Sequence, residues 1–207
     1  MIPYGRQDIS KEDINAVVKV LKSDYLTQGP VTPLFEEEVK NYCGAKFSLA
    51  FNSATSALHA ACFSLGLSKG DYVWTSANTF AASANCALYC DAKVDFIDID
   101  PNTYNLCINS LKKKLVQAKK DGKLPKVVIP VHLAGQSCKM KDIYSLSKKY
   151  KFKIIEDASH AIGGKYLSEK IGGSKYSDIT VFSFHPVKII TTGEGGIATT
   201  NDKKIAE

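Results

Sequence analysis

Three short stretches of the sequence carry polar side chains where an apolar framework would not need them. The first is Asn52-Ser53-Ala54-Thr55-Ser56-Ala57-Leu58, small and hydroxyl-bearing residues that follow an apolar run and open a helical pattern. The free N–H groups and the dipole of a helix start attract anions, and Ser53, Thr55 and Ser56 add donors. The same residues would also serve as a plain helix cap. The second stretch is Ile154-Ile155-Glu156-Asp157-Ala158-Ser159-His160, in which two carboxylates end a very apolar run. A carboxylate in that place suits a cationic ring nitrogen, such as that of a protonated pyridine; a turn-capping Asp157 is the alternative. His160, three residues on, is within reach of a ligand hydroxyl or is simply structural. The third stretch is Phe182-Ser183-Phe184-His185-Pro186-Val187-Lys188, followed by Thr191-Thr192-Gly193-Glu194-Gly195-Gly196. Ser183 ends an apolar run and Lys188 lies between it and a glycine-rich return. Partial burial lowers a lysine's pKa and frees its amine as a nucleophile for a Schiff base. The glycines let backbone approach a ligand closely. An ordinary loop lysine is the competing reading.

These stretches need elements to hold them, and the sequence alternates short β-rich runs with helical patterns. Strands are expected at 47–51, 72–76, 94–98, 127–131, 153–157, 179–184 and 195–200, and helices near 11–22, 32–42, 53–65, 81–89, 110–120 and 139–149. Strands as apolar as Val127-Val128-Ile129-Pro130-Val131 are covered on both faces, so the pattern predicts an α/β fold with a mainly parallel, seven-stranded sheet sandwiched by helices. The last two strands are joined by a loop, which lets one of them run antiparallel. In such a sheet ligands sit at the carboxyl ends of the strands, where all three stretches fall. No G-x-G-x-x-G follows a first strand, which argues against a nicotinamide-dependent oxidoreductase.

The 207 residues, 44% apolar and 23% charged, are enough for one well-buried soluble domain. No apolar run approaches the length that crosses a bilayer, and Met1-Ile2-Pro3-Tyr4-Gly5-Arg6 lacks the basic and apolar regions of a signal peptide; a cytoplasmic location is expected. Cys43, Cys62, Cys86, Cys90, Cys107 and Cys138 are scattered without a C-x-x-C pair, so neither a metal site nor a disulfide framework is indicated and the thiols read as small buried hydrophobes. The net charge of +6 suits an anionic substrate, although the lysines at 112–114, 119–120 and 148–149 read as solvated helix faces. No basic stripe interleaved with aromatics argues for nucleic acid. The last residues, 201–207, read as a helix start with Asn201 or Asp202 as N-cap, and the chain is expected to be a fragment.

A phosphate cradle, a carboxylate for a ring nitrogen and a Schiff-base lysine are together what pyridoxal 5'-phosphate (PLP) requires. With Pro3-Tyr4-Gly5-Arg6, Leu26-Thr27-Gln28-Gly29-Pro30 and the three stretches above, nearly the whole chain resembles the DegT/StrS family of PLP-dependent nucleotide-sugar aminotransferases. The resemblance implies the type I aminotransferase fold, with residues 1–207 as the PLP-binding large domain, residues 1–30 on the substrate side, and a small C-terminal domain lying beyond. It implies that Lys188 holds the cofactor, that Asp157 pairs with the pyridine nitrogen, that His160 lies near the ring hydroxyl, and that Ala54, Thr55 and Ser183 bind the phosphate. Phe80, in Asn78-Thr79-Phe80-Ala81, occupies the position of the aromatic that stacks on the ring, and Tyr4, Thr27 and Gln28 that of substrate-side residues. Retention of Lys188, where dehydratase relatives carry His, favours transamination. Leu26–Pro30 and Ile190–Gly196 most resemble the enzymes that aminate C4 of UDP-4-keto-6-deoxy-N-acetyl sugars on pseudaminic-acid-type routes, with glutamate as donor and a homodimer as the working form. A non-catalytic nucleotide-sugar binding or regulatory protein, or an inactive fragment, is the alternative.

Overall fold

A computed structural model describes residues 5–207. The apolar runs form strands β1 (Phe47–Phe51), β2 (Tyr72–Ser76), β3 (Lys93–Ile97), β4 (Val127–Ile129), β5 (Lys153–Asp157), β8 (Ile179–Ser183) and β9 (Gly196–Thr200), with a two-residue-a-side hairpin, β6 (Lys165–Tyr166) and β7 (Glu169–Lys170), between the fifth and sixth of them. The helices are α1 (Lys11–Leu21), α2 (Val31–Cys43), α3 (Ala54–Ser64), α4 (Ala82–Leu88), α5 (Ile108–Lys120), α6 (Met140–Tyr150) and α7 (Lys203–Ala206). The main sheet runs β1-β9-β8-β5-β4-β2-β3. The pairs β2/β3, β2/β4, β4/β5 and β5/β8 are parallel, and β9 is antiparallel to both its neighbours, the reversal expected of a strand joined by a loop.

Successive residues of a strand face opposite ways, and the two cores follow that alternation. Val73, Val127, Ile129, Ile155 and Val181 pack with Ala57, Leu58, Ala61 and Cys62 of α3 and with Cys86 and Ala87 of α4. Trp74, Val128 and Ile154 pack with Leu111 and Leu115 of α5 and with Ile143 and Leu146 of α6. Asp157 and Ser183 share the parity of Ile155 and Val181, so both reach the α3/α4 side at the carboxyl ends of neighbouring strands.

Several boundaries differ from expectation for local reasons. β4 ends at Ile129 because Pro130 has no N–H for the ladder; the chain resumes pairing at a single bridge, Val131 to Asp157. The hairpin at 165–170 is too short to show a period. Asp202, not Asn201, caps α7, its side chain accepting from the Lys204 amide. Lys112, Lys113, Lys119, Lys120, Lys148 and Lys149 are exposed, whereas Lys114 folds back to Asp95 at 2.6 Å, with its Nζ 5.2 Å from the centre of the Trp74 ring. The six cysteines are free thiols, and the described residues contain no cluster able to hold a metal ion. No described helix is long and apolar enough to cross a membrane.

Candidate active site

One cavity of about 510 Å³ opens at the carboxyl ends of the central strands. Ala54, Thr55, Phe80, Asp157, His160, Ser183 and Lys188 all line it. These come from four separate stretches of the chain, brought together by the sheet order.

The floor at α3 is a helix start. Ser53 has an extended backbone and caps the helix, its hydroxyl accepting from the Ser56 amide at 3.1 Å. The first-turn amides of Ala54 and Thr55 have no intrahelical acceptor, which leaves them for a ligand. Gly196 keeps this cradle open: a Cβ there would lie 2.4 Å from the Ala54 nitrogen. The glycine-rich return thus lets strand β9 approach a helix start, a backbone neighbour in addition to any ligand. Ser183, 8% exposed, ends β8 beside it.

Asp157 is 3% exposed. Its backbone is held on both sides, the amide donating to the Pro130 carbonyl at 2.9 Å and the carbonyl accepting from the His132 amide at 3.0 Å. Its Oδ1 accepts from the amide and hydroxyl of Ser159, at 3.1 and 2.7 Å, and its Oδ2 accepts from Ser83 Oγ at 2.5 Å. No Lys, Arg or His of the described residues forms an ion pair with it. A buried carboxylate with hydrogen-bond donors and no ion-pair partner among the described residues is an arrangement that can accept a cationic group from a ligand.

Glu156 differs. It faces the other side of the sheet, where His132 Nε2 lies 2.7 Å from Oε2 and the hydroxyls of Ser177 and Thr180 donate to Oε1 at 2.5 and 3.2 Å. Burial by itself raises this carboxyl, but the bonds from His132, Ser177 and Thr180 hold it below the ordinary carboxylate range. Because the Cys138 amide donates to Nδ1 of His132, the imidazole proton sits on Nε2 and goes to Glu156.

Lys188 follows the turn after β8, its amide donating to the His185 carbonyl at 2.9 Å. Its Nζ is 2.8 Å from His160 Nε2. The Ala134 amide donates to His160 Nδ1 at 3.3 Å, which leaves Nε2 facing the lysine amine. Burial accordingly lowers the pKa of Lys188, with the Asp157 charge opposing, and lowers that of His160, with the Lys188 charge adding to burial. Ala134 has the left-handed φ of 53°, uncommon for a residue with a Cβ. The following Gly135 (φ 88°) is needed because a Cβ would meet the His160 carbonyl at 2.8 Å. This local backbone arrangement aims His160.

Phe80 is 75% exposed at the cavity edge. Thr27 and Gln28 are exposed on the connection between α1 and α2 and do not line the cavity. Tyr4 lies outside the described residues. Sequence reasoning passed over Ser83, whose only signal is a hydroxyl four residues after Thr79. It also passed over Ser159 as a ligand of Asp157, and over Glu194, whose Oε1 lies 3.6 Å from His185 Nε2 at the cavity wall.

With this geometry in place, known proteins give context. The model of the DegT/DnrJ/EryC1/StrS aminotransferase family matches residues 7–207. The chain is 44% identical to the UDP-4-amino-4,6-dideoxy-N-acetyl-beta-L-altrosamine transaminase of Campylobacter jejuni, over 99% of its own length and 53% of the relative's. Helicobacter pylori PseC, an aminotransferase involved in the biosynthesis of pseudoaminic acid, superposes with a TM-score of 0.91 at 35% identity, covering 99% of this chain and 53% of that one. Spr1654 of Streptococcus pneumoniae in its PLP form superposes with a TM-score of 0.88 at 31% identity, covering 99% and 54%. The chain spans about half the length of the relatives it matches.

Proposed function

Because the chain belongs to the DegT/DnrJ/EryC1/StrS aminotransferase family, we propose that it is the PLP-binding portion of an aminotransferase. In this reading the amino group passes from L-glutamate to C4 of a UDP-linked 4-keto-6-deoxy sugar. The observation that carries the proposal is the single cavity in which the Lys188 amine, the cation-free Asp157 carboxylate and the open amides of α3 converge. The sugar nucleotide is taken from what the Campylobacter and Helicobacter relatives are named for.

The residues present fit PLP. The amides of Ala54 and Thr55 and the Ser183 hydroxyl suit its phosphate, Asp157 its ring nitrogen, His160 Nε2 its ring hydroxyl, Phe80 its ring face and Lys188 its aldehyde. When bound, PLP supplies an electron sink for breaking and making bonds at the carbon that carries the amine. The chain's part is to hold and move protons around it. Asp157, ionised and fixed by three donors, keeps a proton on the atom it faces. Lys188 Nζ, its pKa lowered by burial, is the group placed to take up a proton and return it. His160 orients that amine.

The proposal extends to the residues on the substrate side, 1–30, and to a second domain supplied by the remaining length of the relatives. It includes a homodimer, supported by the outer surface of α3 and α4. Those helices contain no Asp, Glu, Lys or Arg, and Phe63, Leu88 and Tyr89 are exposed on and beside them. A cytoplasmic location belongs to the same proposal, since nucleotide sugars and glutamate are water-soluble anions.

The test is to add PLP to the chain, reduce with borohydride and map the label. Label on the Lys188 peptide is expected; label on any other lysine would sink the assignment. A form extended to the relatives' length is then assayed beside residues 1–207 for amino transfer from glutamate to a UDP-4-keto-6-deoxy sugar, and the shorter chain is expected to be weak or inactive.

A further inference from the structure

We propose that Ser83, backed by Thr79, is a positioning residue that sets the direction in which the Asp157 carboxylate meets a cationic ring nitrogen. The inference rests on the cofactor reading above and deepens it.

The two oxygens of Asp157 are held in different ways. Both Ser159 bonds go to Oδ1 and come from two residues along the same loop, an Asx-type turn open to any Asp at a strand end. Oδ2 is held from α4, 74 residues away in sequence, by the Ser83 hydroxyl at 2.5 Å. Ser83 has no solvent exposure, and its helix neighbours Ala82, Cys86 and Ala87 are in the core, so this donor is held by packing rather than by a mobile surface loop.

The direction of the hydrogen bonds follows from charge. An ionised carboxylate has no proton to give, so Ser83 donates to Asp157 and its oxygen is left to accept. Thr79 Oγ1, 2.8 Å from Ser83 Oγ, fills that role. Each hydroxyl in such a chain polarises the next. The Ser83 amide also donates to the Phe80 carbonyl at 3.1 Å. One turn, 79–83, therefore carries both the backbone of Phe80 at the cavity edge and the donor to the carboxylate within it. Loss of the Ser83 hydroxyl frees Oδ2, and a charge-assisted hydrogen bond weakens as its angle opens.

The experiment uses the chain loaded with PLP carrying ¹⁵N at the ring nitrogen, with NMR reporting protonation of that nitrogen against pH. In Ser83→Ala the ring nitrogen is expected to lose its proton at a pH lower by about one unit, and PLP to dissociate on the order of tenfold faster, the effect of one hydrogen bond to a charged group. Thr79→Val, at a half-buried position that does not threaten the fold, is expected to move both in the same direction by about threefold, and Thr79→Ser to restore them. A ring-nitrogen titration unchanged in Thr79→Val and Ser83→Ala, with PLP still on Lys188, would overturn the positioning role and leave the cofactor reading intact. Failure of the unmodified chain to take PLP on Lys188 would overturn the cofactor reading, and this inference with it.

Discussion

Asp157 and Glu156 are adjacent carboxylates at the end of one strand, both buried, and they do opposite jobs. Glu156 turns toward the α5/α6 layer, where a histidine and two hydroxyls complete it. Asp157 turns toward the α3/α4 layer, where it receives three donors and, among the described residues, no ion-pair partner. The pleat sorts them: consecutive side chains cannot share a face. The comparison teaches that burial and charge alone do not single out a candidate site carboxylate; what separates Asp157 from Glu156 is its place on the cavity wall without an ion-pair partner among the described residues.

The sharpest break is made on the functional side. Lys188→Ala removes the amine and is expected to reduce amino transfer by the full-length protein on the order of 10⁴-fold or more, as loss of a nucleophile does, while thermal unfolding of the chain changes little. Turnover near normal would remove Lys188 from the chemistry.

Next is Asp157→Asn, which preserves shape and removes charge. The rate of proton abstraction is expected to fall on the order of 10²-fold, with a smaller change in PLP affinity. Single-turnover absorbance separates the two, and near-normal turnover would reduce Asp157 to a cap.

Glu156→Gln should do the reverse. It disturbs a bonded network on the opposite face of the strand, so urea unfolding is expected to lose about 2 kcal/mol, with a much smaller change in PLP uptake per folded molecule than Asp157→Asn gives. If PLP uptake fell and stability did not, the division of labour between the two faces would be wrong.

The smallest effect concerns pH. Burial lowers the Lys188 pKa from 10.5, so in the window between the lowered value and 10.5 this amine is neutral where a free lysine is still an ammonium. Amine-specific acylation of the cofactor-free chain, read by mass spectrometry, should therefore modify Lys188 at lower pH than a model lysine. Labelling in step with the model lysine would contradict the contact with a neutral His160.

Much of the site is legible in the sequence because each part is local. A helix start of small and hydroxyl residues, an acidic end to an apolar strand and a lysine before a glycine-rich turn announce themselves within a few residues, and the apolar strands with their alternating helices announce the α/β fold. The antiparallel turn of β9 follows from its loop connection. By contrast, the hairpin at 165–170 is too short to carry a period, and the end of β4 at Pro130 depends on which strand needs that missing N–H.

What only the tertiary structure decides is adjacency. Nothing local ties Ser83 to Asp157, the Ala134 amide to His160, or Gly196 to the start of α3; each pair is far apart in sequence and meets only because β1, β9, β8, β5, β4 and β2 lie side by side. The sequence by itself determined the residue types and the two-faced strands, because side-chain chemistry and backbone period are properties of a few consecutive residues. The order of strands in the sheet determined which of those residues became neighbours, because hydrogen-bonded pairing joins distant segments and local pattern carries no record of the partner.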